Sequence, residues 1–207
     1  MYLTRIELDT TNRKTLKAFS SLSLFHGAIE SCFIGEKKRK LWRLDHLNGK
    51  DYLMLLSENK PNADYIAEQF SGSPDAWQMK SYDSLLNRIE PGSVWRFKLR
   101  ANPTYAAPSK TGRGRLCAYG TVDGQKKWLK KQAEKNGFTV HDNTFDVTEQ
   151  EWHSFKKNDT TGYVKMLGVV YEGVLKVTDA EAFKTALMSG IGREKAYGMG
   201  LMTCVRA

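Results

Sequence analysis

Asn48-Gly49 stands between two apolar runs, Leu41-Trp-Arg-Leu-Asp-His46 and Tyr52-Leu-Met-Leu-Leu-Ser57. Asparagine and glycine both tolerate the positive φ angles of a tight two-residue turn, so the dipeptide predicts an antiparallel hairpin. A lone hairpin is barely stable in water and needs neighbours to cover its apolar face. Those neighbours are legible on either side. Residues 2 to 9 alternate apolar and polar side chains, the period of a half-buried strand. After the turn-prone Asp9-Thr-Thr-Asn12, the apolar residues Leu24, Phe25, Ala28, Ile29, Cys32 and Phe33 form one stripe at helical spacing, and Ser23 stands where an N-cap would. Residues 62 to 70 predict a short helix and 76 to 82 a strand.

The order is β-α-β-β-α-β, the split βαβ or ferredoxin-like unit. Pro91-Gly92 punctuates the chain, and a very regular strand follows, with Trp95, Phe97 and Leu99 on one face and Arg96, Lys98 and Arg100 on the other. A loop of Pro, Gly and small residues at 101 to 122 carries Lys110, Arg113 and Arg115 as expected exposed cations. Residues 124 to 136 predict a polar helix closed by Gly137. Then come a strand-like stretch at 138 to 147, Lys156-Lys157 before a turn at Asn158-Asp159, a strand pair at 164 to 170 and 173 to 178 around Glu172-Gly173, a helix at 179 to 188, and a last strand from Leu201 to Val205. The fold class expected is α+β, with two tandem ferredoxin-like domains: residues 1–88 and 92–207.

Lys and Arg number 32 against 23 Asp and Glu, a net charge of +9, so a polyanionic partner is the leading expectation. No segment is long enough to span a bilayer, and the alternating N-terminus reads as a strand rather than a signal peptide. Three scattered cysteines, Cys32, Cys117 and Cys204, offer neither a disulfide framework nor a zinc knuckle, which suits a reducing cytoplasm. No carboxylate cluster and no H-E-x-x-H offers a metal site.

The stretch Gly190-Ile-Gly-Arg-Glu-Lys-Ala-Tyr-Gly-Met-Gly200 wraps four glycines around Arg193 and Lys195, a backbone able to approach a phosphate closely. It lacks the third glycine of a dinucleotide fingerprint and the Lys-Ser or Lys-Thr of a Walker loop, so no nucleotide cofactor is expected. A structural turn before the last strand accounts for it equally well. Of four histidines, His46, His141 and His153 read as ordinary exposed residues. His26 differs: it lies off the apolar stripe, in the first turn of its helix, with the basic run Lys37-Lys38-Arg39-Lys40 shortly after. It is either functional or a simple surface residue. The row Arg96, Lys98 and Arg100 suggests a surface tracking a nucleic-acid backbone, although no RNP-like motif supports reading by an RRM sheet. For a basic protein with one placed histidine, the chemistry that remains is RNA cleavage in which the ribose 2′-OH is the nucleophile.

Taken together, Met1-Tyr-Leu-Thr-Arg-Ile6, Phe25-His26-Gly27, Leu41-Trp-Arg-Leu44, Arg96-Phe-Lys-Leu-Arg-Ala-Asn-Pro103, Tyr171-Glu-Gly-Val-Leu175 and Gly190 to Leu201 resemble the CasE family, the CRISPR-associated endoribonucleases of type I-E systems. The match runs in order over essentially the whole chain. It implies metal-independent cleavage of precursor CRISPR RNA at the base of each repeat hairpin, a 2′,3′-cyclic phosphate product, and retention of the guide within the Cascade complex. By position, His26 matches the family's catalytic histidine. Ser23 stands where some relatives carry a tyrosine: either Ser23 fills part of that role, or a cation of 37 to 40, such as Lys37, positions the phosphate, or the enzyme is slower. Lys156 and Lys157 match basic residues placed against the RNA stem, with Lys38, Arg39, Lys40, Arg113, Arg115, Arg193 and Lys195 as further RNA contacts. The partners implied are the repeat RNA hairpin and other Cascade subunits, with no membrane, metal or small-molecule cofactor. The alternative is a non-catalytic hairpin-binding subunit of the same fold.

Overall fold

The structure, a computed structural model, describes residues 1–33, 38–108, 112, 114–156 and 162–207. Its N-terminal half runs β1 (Tyr2–Leu8), α1 (Arg13–Ser20), α2 (Ser23–Ser31), β2 (Leu41–Leu47), β3 (Lys50–Ser57), α3 (Ala63–Phe70), β4 (Trp77–Ser81) and α4 (Asp83–Leu86). Its C-terminal half runs β5 (Val94–Ala101), β6 (Thr104–Ala106), β7 (Leu116–Ala118), α5 (Val122–Lys135), β8 (Phe138–Thr139), β9 (Phe145–Lys156), β10 (Tyr163–Val177), α6 (Ala180–Ser189), a 3₁₀ turn (Lys195–Tyr197) and β11 (Met202–Arg206).

The first sheet has the order β2-β3-β1-β4 and the second β11-β5-β10-β8, with β9 also paired to β10. All the ladders are antiparallel. In the first sheet the first and third strands lie at the centre and the second and fourth at the edges, and in the second β5 and β10 are central with β11 at one edge and β8 and β9 at the other, which is the ferredoxin-like arrangement expected of β-α-β-β-α-β with one strand added. The Asn48-Gly49 turn forms as read, both residues at positive φ, and closes the β2–β3 pair from Leu47↔Lys50 to Leu41↔Leu56.

Several local expectations change, among them the loop read at 101 to 122, which carries the paired strands β6 and β7, and the strand read at 138 to 147, which is divided between β8 and β9. Residues 13–20, passed over in the sequence, form α1, for which Asn12 is the cap: its side chain accepts from the Lys14 N–H at 2.8 Å. Thr15 and Ala18 are its buried residues while Leu16 is half exposed, so the apolar stripe is too short to read. Glu172-Gly173 is not a turn but the middle of the 15-residue β10, laddered to β5 through Glu172↔Lys98 and Gly173↔Phe97 and to β9 through Glu172↔Asp146. A side chain at Gly173 would collide with Thr144 and Phe145, so this glycine serves a close backbone approach. His153 is buried rather than exposed, because the β9–β10 ladder turns it inward against Arg100 and Gly168.

Two apolar clusters hold the sheets together, and both cross from one half to the other. Leu41 and Leu56 pack with Trp95, Leu99 and Met202, while Phe155, Met166 and Met199 join Phe25, Trp42 and Phe70. Arg43, 2% exposed, sits in this seam: it forks onto Asp45 at 2.8 and 2.7 Å and donates to the Lys98 and Leu201 carbonyls and the Thr203 hydroxyl. Among the described residues no helix is long and apolar enough to cross a membrane.

Candidate active site

Phe25 fixes the helix that carries His26. It is fully buried, and its ring meets those of Phe19, Trp42 and Phe70 at centroid distances of 5.7, 5.8 and 4.9 Å. Burying such a side chain contributes roughly 1.5–3 kcal/mol, so α2 resists rotation about its axis. His26, the next residue, is held half-buried at the edge of the core, and among the described residues its ring makes no hydrogen bond. Ser23 is not the N-cap. That position falls to Leu22, whose burial draws it into helical conformation one residue early, and Ser23 becomes the first helical residue with its hydroxyl 3.0 Å from that of Ser21. Ser23, His26 and Glu30 follow at intervals of three and four and so share one face of α2.

The chain entering β2 docks on that face. Lys40, with only 3% of its side chain exposed, bonds Glu30 at 2.7 Å and places its ammonium 4.9 Å from the centroid of Phe33. Lys40 is therefore a tie between β2 and α2 rather than an open cation. Lys38 is exposed but bonds Glu58 at 2.7 Å. Arg39, between them, is exposed to solvent. Lys37 lies outside the described residues.

From the C-terminal half, the glycine-rich stretch reaches the same corner. Its ends are pinned by the Ile191 N–H donating to the Gly200 carbonyl at 2.9 Å and the Gly200 N–H to that of Arg100 at 2.6 Å. The 3₁₀ turn Lys195–Tyr197 packs on α2 and β2. Gly198, at φ +78°, is what permits the approach: a Cβ there would sit 2.9 Å from the Trp42 ring, whose indole N–H donates to the Ala196 carbonyl at 3.3 Å. The Lys195 amine donates to the Gly192 carbonyl at 2.6 Å. Burial holds that amine below its ordinary value, and the charge of Arg39 adds to the effect. The loop that carries Lys195 thus packs on the helix that carries His26. An imidazole on the helix against which a cation-bearing loop packs is an arrangement suited to a phosphate with a transferable proton.

The other expected contacts divide. Arg193 and Arg115 are exposed and line one groove, in which Arg193 bridges to Asn102. Lys156 is exposed at the far end of β9, opposite Tyr163, which is 74% exposed. Arg113 and Lys157 lie outside the described residues, as do Lys110 and Asn158-Asp159. The open row on β5 does not exist as such. Trp95, Phe97 and Leu99 are buried as read, but the opposite face meets β2 and β9: Lys98 bonds Asp45 at 3.4 Å and Glu172 at 3.1 Å, and Arg100, 8% exposed, bonds Glu151 and the His153 ring at 2.8 Å each. Arg96 alone of the three is exposed. Two features escaped the sequence reading. Arg43 and Asp45 were visible as charges two apart inside an apolar strand. Trp152 was visible as a large aromatic on a polar strand.

The model of the family described as CRISPR associated protein matches residues 1–206. The chain belongs to that family. The CRISPR-associated endoribonuclease Cse3 of Thermus thermophilus is 26% identical over 215 residues, covering 98% of this chain and 99% of that protein. The structure of Thermus thermophilus Cse3 bound to an RNA representing a pre-cleavage complex has a TM-score of 0.81 at 21% identity, over 99% of this chain and 98% of that one. A chain of a CRISPR RNA-guided surveillance complex, pre-nicking, has a TM-score of 0.75 at 22% identity over 100% of both chains. This CRISPR-associated protein therefore shares their fold, two tandem ferredoxin-like domains.

Proposed function

We propose that this protein is a CRISPR-RNA processing endoribonuclease. It cleaves precursor CRISPR RNA at the base of the repeat hairpin without a metal, leaves a 2′,3′-cyclic phosphate, and stays on the mature guide within a Cascade complex. The observation that supports this reading is the packing of the glycine-rich loop on α2, the helix that carries His26, with Arg39 close enough for its charge to act on the Lys195 amine. The 2′-oxygen attacks the adjacent phosphorus, a P–O bond forms, and the bond to the 5′-oxygen of the next nucleotide breaks. His26 moves the proton, as base from the 2′-OH or as acid to the departing 5′-oxygen, while Arg39 and Lys195 neutralise the charge growing on the phosphoryl oxygens. The nucleophile belongs to the substrate, so no water need be activated. Positioned proton transfer contributes about 10²–10⁴ in rate.

Ser23, on the His26 face, and Lys37, in the run before Arg39, are the further catalytic candidates. Arg96, Arg113, Arg115, Lys156, Lys157 and Arg193 are assigned to the RNA backbone, and Lys38 to the rim of the corner. Residues 1–88 supply the histidine and 92–207 the loop and the β9–β10 hairpin. A cytoplasmic location suits the three cysteines, none of which is in a disulfide. The reading is supported by the name of the Thermus relative and by the RNA in its pre-cleavage complex. The test is incubation of the protein with its repeat RNA in EDTA. Cleavage is expected from the wild type and a loss of about 10²-fold or more from His26→Ala. Tight binding with no product would instead make the protein a non-catalytic hairpin-binding subunit.

A further inference from the structure

Beside the corner, between the β6–β7 hairpin, β9, β10 and the glycine-rich loop, lies a groove of about 360 Å³. Arg115, Lys165 and Arg193 line it, all exposed, against the single carboxylate Glu194, so its field is on balance cationic. Trp152 also lines it and is 56% exposed, whereas Trp42, Trp95 and Trp128 are 1%, 1% and 6% exposed. An indole left in water has its apolar face available to a partner, and here the Lys165 ammonium stands 5.2 Å from the ring centroid. Asn102, 5% exposed, completes the lining, and its carboxamide oxygen has no hydrogen-bond partner among the described residues. A buried acceptor without a donor is unfavourable until something supplies one.

Cations, an aromatic face and an acceptor in want of a donor match the three parts of a nucleotide: phosphate, base plane and base edge. Base pairs within a stem hide their planes in the stack, so the nucleotide that fits is unpaired. The groove shares the glycine-rich loop with the proposed cleavage site. Arg193 is two residues from Lys195, which limits their Cα separation to about 7 Å.

We propose that this groove binds an unpaired nucleotide flanking the repeat stem, its base stacked on Trp152 and its phosphate held by Arg115 and Arg193. The inference rests on the reading of the protein as an RNA-processing enzyme and adds a second substrate feature, the unpaired flank. It separates from that reading experimentally. Affinity is measured, at one fixed salt concentration, for hairpins made uncleavable by a 2′-deoxy nucleotide, either blunt at the stem base or carrying unpaired nucleotides on one side or the other. The wild type is expected to bind one flanked hairpin about tenfold more tightly than the blunt one, the worth of roughly one base stack. Trp152→Ala should erase that difference and leave blunt-hairpin affinity unchanged, and Trp152→Phe should retain most of it. An abasic nucleotide at the stacked position should mimic Trp152→Ala on the wild type. Equal binding of the flanked hairpin by wild type and Trp152→Ala would overturn the proposal while the enzyme reading stood. So would a Trp152→Ala variant that binds RNA normally but fails to assemble with protein partners. Failure of the wild type to bind either hairpin would overturn both.

Discussion

Arg43 is where the two halves can be tested against each other. Its guanidinium and the Asp45 carboxylate form a two-pronged pair with side-chain exposures of 2% and 4%. Burial alone would push the Asp45 carboxyl up, but the charge and hydrogen bonds of Arg43, helped by Lys98, outweigh it and hold the group below the ordinary carboxylate value. Arg43→Met leaves Asp45 buried with only Lys98 at 3.4 Å, and strips a donor from the Lys98 and Leu201 carbonyls and the Thr203 hydroxyl. Breaking a buried pair costs about 3–5 kcal/mol, and the remaining lysine places this one near the lower bound, about 3 kcal/mol. For a chain of this size that corresponds to a fall of roughly 6–12 °C in Tm. Arg43→Met with Asp45→Leu removes both charges, so only the carbonyls and hydroxyl lack donors, and a loss of about 1–2 kcal/mol is expected. Urea unfolding of the single and double variants measures both values. A single-variant loss below about 1 kcal/mol, or a double variant less stable than the single, would refute the account of the seam.

Reversing charge with Arg193→Glu and Lys195→Glu should weaken hairpin binding and flatten the dependence of log K on log salt by roughly two phosphate contacts; an unchanged slope would return the glycine-rich stretch to a purely structural turn. His153 gives a pH signature: burial lowers its pKa, Glu151 opposes that, and Arg100 reinforces it. The stability it supports is present above the ordinary value of 6.5 and is lost as the pH falls below it, by at most about 1.4 kcal/mol per pH unit, and His153→Gln should reduce that slope when Tm is followed from pH 7.5 to 5.5.

Much of the architecture was legible because its signals are local. Asn48-Gly49 specified its hairpin, the α2 stripe specified the buried side of the helix that carries His26, and the order of elements specified the first sheet, whereas in the second sheet β9 was not read as a strand of its own and β10 was read as two strands. What escaped was set by contacts distant in sequence. Alternation in β5 correctly predicted two faces, but not that the charged face would be covered by Asp45, Glu172, Glu151 and His153. Gly173 resembles a turn residue because glycine suits turns and close approaches alike, and only the neighbouring strand decides between them. The packing of the 3₁₀ turn Lys195–Tyr197 on α2 and β2 joins residues more than 140 apart in the chain, a distance over which no periodicity speaks. Trp152 lay in a polar strand whose outward face became apparent only with the ladder to β10.

The central claim is that His26 moves a proton for an attack made by the RNA itself. The direct measurement is single-turnover cleavage of the repeat hairpin, in chelator, with the nucleotide 5′ to the scissile phosphate carrying either 2′-OH or 2′-H. The account predicts full binding of both RNAs, cutting of the hydroxyl form alone to a cyclic phosphate end, and no cutting of the deoxy form. A cut deoxy hairpin would contradict it.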